Sequence, residues 1–248
     1  MCTLIAYHRV FDDAPLVVAT NRDEAYARPA SLPAWGGDRP RFLAPRDDEA
    51  GGTWMGANET GLWVGLTNAE DHRIDRDRRS RGLLCRELLG CADSREVVAR
   101  LAGLDELYNA FNLVASNGEM AHLVEYAEGR ATARALEPGC HIVTNRAIDD
   151  TASEPKVQRA IELLGAADLW DLRPGSRAPE SLMSKLALIL GDHGSGGADA
   201  LCLHGEGYGT RSAALWRVGS PGKAIGIELR YADGPPCSTP FVTVQTRV

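Results

Sequence analysis

Apolar positions recur along this chain with two spacings, one of two residues or short continuous runs, the other of three and four residues. The runs Cys2 to Val10 (CTLIAYHRV) and Pro15 to Thr20 (PLVVAT) flank an Asp12-Asp13 turn and predict a β-hairpin. Its second strand delivers Asn21-Arg22-Asp23-Glu24 at its end. From Arg28 to Gly52 the chain is rich in Pro, Gly and charge, which predicts a long loop, a length more usual for functional loops than for simple connections. Thr53 to Ala57 and Leu62 to Thr67 read as a second hairpin about Asn58-Glu59-Thr60-Gly61. Helical spacing follows over Arg81 to Leu89 and over Ser94 to Leu104, where Ser94 is placed as an N-cap.

Phe111 to Ser116 and Met120 to Tyr126 flank Asn117-Gly118, a strong short-range hairpin signal. Arg130 to Leu136 and His141 to Thr144 are expected to continue that sheet. Glu154 to Leu164 and Pro179 to Leu190 have amphipathic helical spacing, and strands return at Ala213 to Val218, Lys223 to Leu229 and Phe241 to Thr246. Strands, helices, strands, helices, strands is an α+β order, and the hairpins imply mainly antiparallel pairing. Two antiparallel sheets with helices outside would use this inventory. No composition shift marks a boundary, so one domain over 1–248 is expected.

Composition narrows the function classes. Hydrophobic residues make up 44% and charged residues 25%, as in an ordinary globular chain. The net charge of -7 argues against nucleic-acid binding, which needs a basic face. One local exception is His72 to Arg81 (HRIDRDRRSR), with five arginines: a solvated loop on the plain reading, a patch for an anionic ligand group on the sharper one. No apolar run approaches the roughly 20 residues of a membrane span, and the first residues lack a signal-peptide pattern, so a cytoplasmic location is expected. The six cysteines are scattered, without a C-x-x-C pair or clustered histidines, a spacing that points to neither a metal site nor a disulfide framework. Most are expected to be small buried hydrophobes.

Cys2 stands apart. If the preceding methionine is removed, one residue carries a thiol and a free α-amine, and an α-amine of pKa about 7.7–8.0 is a competent base near neutral pH. A nucleophile with its own base attached is the arrangement of N-terminal-nucleophile enzymes. Gly51-Gly52-Thr53-Trp54 and Gly207-Tyr208-Gly209-Thr210 suit tight turns and close backbone approach, and neither has phosphate-loop spacing. Trp54, Trp63 and Tyr208 are candidates for the wall of a hydrophobic pocket, with core packing as the alternative. Asp192-His193-Gly194 reads as part of a linker.

Met1-Cys2, Asn21-Arg22-Asp23-Glu24 with Arg28-Pro29, Gly51 to Trp54, Leu66-Thr67-Asn68, Tyr108-Asn109 with Phe111-Asn112-Leu113, Thr144-Asn145 and Gly207 to Arg211 occur in an order that resembles the NRDE-motif family, also called the transport and Golgi organisation protein 2 family. The resemblance implies an αββα four-layer sandwich of two mainly antiparallel sheets with outer helices, the N-terminal-nucleophile hydrolase-like fold, by similarity to penicillin V acylase and bile salt hydrolase. The family's proposed roles include haem trafficking and acyl-CoA or lipid metabolism.

These residues suit an acyl-transfer site. Arg22 and Arg211 are candidates to stabilise a Cys2 thiolate, Asp23 to hold the α-ammonium or orient the α-amine, and Asn68 and Asn145 to donate to a developing oxyanion. One departure from the acylases matters: their Arg and Asp are separated by two residues, whereas Arg22 and Asp23 are adjacent and in a regular strand point to opposite faces. The alternative for Arg22 is a structural ion pair with Asp23 or Glu24. Two readings follow. In the first, the chain is a cysteine amidohydrolase or acyltransferase acting on a small amide or thioester, with no cofactor required. In the second, it is a non-catalytic binding or trafficking protein for haem, a lipid or an acyl-CoA, in which His72 is the axial-ligand candidate for haem. Both make the partner a small molecule.

Overall fold

The computed structural model describes residues 2–70, 74–146, 148–149, 151–219 and 226–244. In chain order the elements are β1 (Thr3–Phe11), β2 (Ala14–Ala25), β3 (Ala30–Gly36), β4 (Phe42–Asp47), β5 (Met55–Asn58), β6 (Trp63–Asn68), α1 (Arg81–Leu88), α2 (Ser94–Ala102), β7 (Phe111–Ser116), β8 (Ala121–Ala127), β9 (Arg130–Ala135), β10 (Gly139–Thr144), α3 (Pro155–Ala166), α4 (Leu182–Leu190), β11 (Tyr208–Val218), β12 (Ile227–Ala232) and β13 (Val242–Val244). One sheet has the order β10-β1-β2-β11-β12-β13, the other β3-β4-β5-β6-β7-β8-β9, and neighbouring strands pair antiparallel throughout.

Strand alternation builds the layers. Ile5, Tyr7, Val17, Ala19 and Leu215 face one way and pack with Val157, Leu164, Leu182 and Leu186 of α3 and α4. Their neighbours Leu4, Ala6, Leu16, Val18 and Trp216 face the other way and meet Met55, Trp63, Val114 and Leu123 of the second sheet. On that sheet's far side Val64, Leu66, Leu113 and Val124 pack with Leu84, Leu88, Val97 and Leu101 of α1 and α2. The result is the expected αββα sandwich.

Four local expectations need correction. The 28–52 stretch is not a long loop: it contains β3 and β4, with β3 at the sheet edge, where Pro33 leaves no ladder partner unmet. β10 does not continue the sheet of β9 but crosses to pair with β1, from Thr3↔Thr144 to His8↔Gly139. The cap of α2 is Asp93, whose carboxylate accepts from the backbone N–H groups of Arg95 and Glu96, while Ser94 is buried beside His122. β11 begins at Tyr208, earlier than the predicted Ala213.

Candidate active site

The period-2 rule that forms the layers also orders the site. Cys2 continues the parity of Leu4 and Ala6, and Arg22 that of Leu16 and Val18, so both belong to the inner face of the first sheet. Arg22 is 7% exposed and lies over the Trp54 ring, its Cζ 4.1 Å from the ring centroid, a cation–π contact in a desolvated setting. Its Nη2 is 3.8 Å from Glu24, one full strand period away. Its Nη1 is buried and makes no hydrogen bond among the described residues. A buried guanidinium with a spare donor is a ready anion or oxyanion partner.

Asp23 faces the opposite way. Thr210 Oγ1 donates to its Oδ1 at 2.6 Å, and Nζ of Lys156, from the first turn of α3, stands 3.6 Å from its Oδ2. Both ionic side chains are essentially excluded from solvent, at 0% and 1% exposure. The backbone of Asp23 still touches the sulfur: its N–H donates to the Cys2 thiol, and its carbonyl accepts from the Tyr208 hydroxyl at 2.9 Å. Burial pushes the Cys2 thiol above its ordinary pKa and the Asp23 carboxylate adds to the rise, while that N–H and Arg22 pull it down. The resting group is therefore a thiol, and its use as a nucleophile requires a base.

Asn145 ties three strand ends together. Its Oδ1 accepts from the Cys2 backbone nitrogen and its Nδ2 donates to the Asn68 carbonyl, joining the start of β1 to the ends of β6 and β10. Thr67 Oγ1 and Asn112 Nδ2 add bonds to the Thr144 carbonyl at 3.3 and 3.1 Å. Cys2, Arg22, Asp23, Trp54 and Asn68 open on a cavity of about 560 Å³ whose rim carries Arg28, Arg76, Arg78, Arg79 and Arg81. Arg28 is paired with Asp47, and Asn109 clamps the rim by exchanging two hydrogen bonds with the Asp75 backbone, at 2.9 and 2.7 Å. Gly52 lets the segment leading into β5 approach α1: a Cβ there would stand 2.2 Å from the Gly82 carbonyl carbon.

A family model described as Transport and Golgi organisation 2 matches residues 1–233. The chain belongs to that family. It is 26% identical to the human Transport and Golgi organization protein 2 homolog over 252 aligned residues, covering 88% of this chain and 87% of the relative. The bovine homolog is 32% identical over 142 residues, a match spanning 54% of this chain and only 51% of that relative. Among solved structures, a penicillin V acylase from Agrobacterium tumefaciens superposes with a TM-score of 0.59 at 14% identity, covering 96% of this chain and 93% of its own. A Caenorhabditis elegans N-acylethanolamine-hydrolyzing acid amidase ortholog gives 0.58 at 12% identity, covering 86% and 92%. The chain therefore has the N-terminal-nucleophile hydrolase-like fold of these neighbours.

Within this family member the residues singled out from the sequence divide. Cys2, Arg22, Asp23, Asn68 and Trp54 share the cavity, and Asn145 adjoins them from behind through Cys2. Arg211 does not join them. It lies at the β11 irregularity between Thr210 and Ser212, where the extra residue rotates away from the ladder, and it pairs with Asp233 at 2.7 Å. Trp63 is fully buried between the sheets, its ring filling the space beside Gly65; it is absent from the lining of the large cavity but walls, with Cys2, Trp54 and Leu66, a small apolar pocket next to it. Tyr208 is not among the residues lining that cavity; its hydroxyl donates to the Asp23 carbonyl. His72 lies outside the described residues. Lys156 was not legible beforehand, because a lysine in a first helical turn ordinarily faces solvent; the partner that buries it comes from a strand far away in sequence.

Proposed function

We propose that the chain, after removal of Met1, is an N-terminal-nucleophile-type cysteine hydrolase or acyltransferase acting on a small amide or thioester. The observation that carries this reading is the Cys2 environment: a thiol on the cavity wall, its backbone nitrogen held by Asn145, and a buried guanidinium with a free donor on the same strand face. The Cys2 α-amine takes the Sγ proton as the sulfur attacks the carbonyl carbon. The oxyanion receives donors from Asn68 and Arg22 Nη1, because the Asn145 amide is already engaged at both ends. The tetrahedral intermediate expels an amine or thiol, which takes the proton from the α-ammonium, and leaves a Cys2 thioester. Water then releases the acid, or an acceptor amine or thiol takes the acyl group. Asp23, held by Lys156 and Thr210, positions the strand end whose N–H meets the sulfur.

The raised thiol pKa and the arginine-bearing rim favour a second reading, a non-catalytic container for an anionic ligand such as an acyl-CoA, a lipid or haem. Steady-state hydrolysis of a panel of N-acyl amides and acyl thioesters separates the two. The catalytic reading expects turnover that is abolished by Cys2→Ala and reduced about 100-fold or more by Arg22→Ala. Saturable binding of acyl-CoA or haem with no turnover, unchanged by Cys2→Ala, would establish the container instead.

A further inference from the structure

The cysteines and histidines that are scattered in sequence converge at a second place. The backbone N–H groups of Leu201 and Cys202 both donate to the Asp192 carbonyl, at 3.1 and 2.8 Å, closing the 192–202 loop and setting Cys202 beside His193. Arg159 anchors the loop's start through two 2.9 Å bonds to the Asp192 carboxylate. His204 follows two residues later, and Cys237 arrives from the turn after β12, where Ser238 and Thr239 donate to the Pro235 carbonyl. Ligand atoms of all four side chains lie within 4.8 Å of one another.

We propose that His193, Cys202, His204 and Cys237 form a structural zinc site. In a tetrahedral site with Zn–S of about 2.3 Å and Zn–N of about 2.0–2.1 Å, two sulfurs stand about 3.8 Å apart and a sulfur and a nitrogen about 3.6 Å. The Cys202 and Cys237 sulfurs are 3.7 Å apart, and His204 Nε2 is 3.7 Å from the first and 3.2 Å from the second. A disulfide would need about 2.05 Å between the sulfurs. Two thiolates neutralise the ion, two imidazoles complete the set, and four protein ligands leave no open position, so the role is to hold chain segments together rather than to activate water.

What it holds bears on the first site while remaining independent of its chemistry. Thr210 Oγ1 accepts from the Leu203 N–H at 2.9 Å and donates to Asp23, so the clamped loop is one side chain from the carboxylate that faces Lys156. Gly209 is pressed between them: a Cβ there would lie 2.1 Å from the Tyr26 hydroxyl and 2.5 Å from the Leu203 carbonyl.

The test is metal analysis of the full chain purified under reducing conditions, followed by chelation and cobalt substitution. The expected result is about one zinc per chain, a Tm that falls on chelation and recovers with zinc, and cobalt spectra with thiolate charge-transfer and tetrahedral d–d bands. Cys237→Ser, at an exposed position, loses at least half of the bound zinc, whereas Cys2→Ala retains it. Zinc unaffected by Cys237→Ser, no metal and no cobalt bands in the folded chain, or a Cys202–Cys237 disulfide in non-reducing peptide maps would each overturn the assignment.

Discussion

Replacing Lys156 by methionine tests whether the Asp23 pair is the electrostatic support of the site. Methionine keeps much of the length and apolar stem of lysine, so the change removes the charge with little change in packing. Both ionic groups are shut off from water, and among the described residues Lys156 Nζ makes no hydrogen bond, so its main favourable interaction is its attraction to a carboxylate 3.6 Å away. Deleting one member of a buried pair costs about 3–5 kcal/mol, because the remaining charge stays buried. At about 2–4 °C per kcal/mol for a chain of this size, the Tm should fall by roughly 6–20 °C. Adding Asp23→Asn should return at least about 1 kcal/mol, since the double variant buries no net charge. Differential scanning calorimetry and urea denaturation of wild type, Lys156→Met, Asp23→Asn and the double variant close the cycle. A loss below about 1 kcal/mol in Lys156→Met, or strict additivity in the double variant, would refute the reasoning.

Three further outcomes follow from local geometry. Arg22→Lys keeps the charge but loses the flat face over Trp54 and the spare Nη1 donor, so turnover should fall at least about tenfold with little change in Tm; equal activity would remove the guanidinium from the mechanism. Asp93→Ala should cost about 1 kcal/mol in denaturant titrations by uncapping α2, whereas Asp93→Asn should recover most of it. Burial, reinforced by Arg9, His141 and His122, lowers the His8 pKa to about 4 from its ordinary 6.5. The unfolded chain then binds the extra proton between those values, so stability is complete above about 6.5, declines as pH falls and levels off below about 4, by at most about 3 kcal/mol. His8→Asn should flatten that limb of the pH–Tm curve relative to wild type, and identical curves would contradict the assignment.

Much of this architecture was readable as alternation. Ile5 and Tyr7 against Leu4 and Ala6, and Val17 and Ala19 against Leu16 and Val18, mark the two faces of the first sheet, and the same parity explains how adjacent Arg22 and Asp23 come to work from opposite sides. The Arg22–Glu24 contact shows that the plain ion-pair alternative for Arg22 also holds in part. β3 and β4 were hidden because Pro33 and Pro45 within them read as breakers; β3 is an edge strand, and Pro45 falls at the register irregularity between β3 and β4, beyond the Phe42 and Leu43 pairing with β5. Arg211 was misplaced because a bulge shifts the face of one residue without any signal in its immediate neighbours. Lys156 with Asp23, and Cys202 with Cys237, are meetings between segments far apart in the chain, and single-chain periodicity carries no information about them. No helix among the described residues is long and apolar enough to cross a membrane.

The most direct test of the central claim is intact-mass and peptide-mass analysis of the purified chain before and after brief exposure to a short acyl thioester. The purified chain is expected to lack Met1 and then to carry a transient acyl adduct on the Cys2 peptide that disappears with product formation and never forms in Cys2→Ala. Retained Met1 with no adduct at Cys2 would contradict that claim.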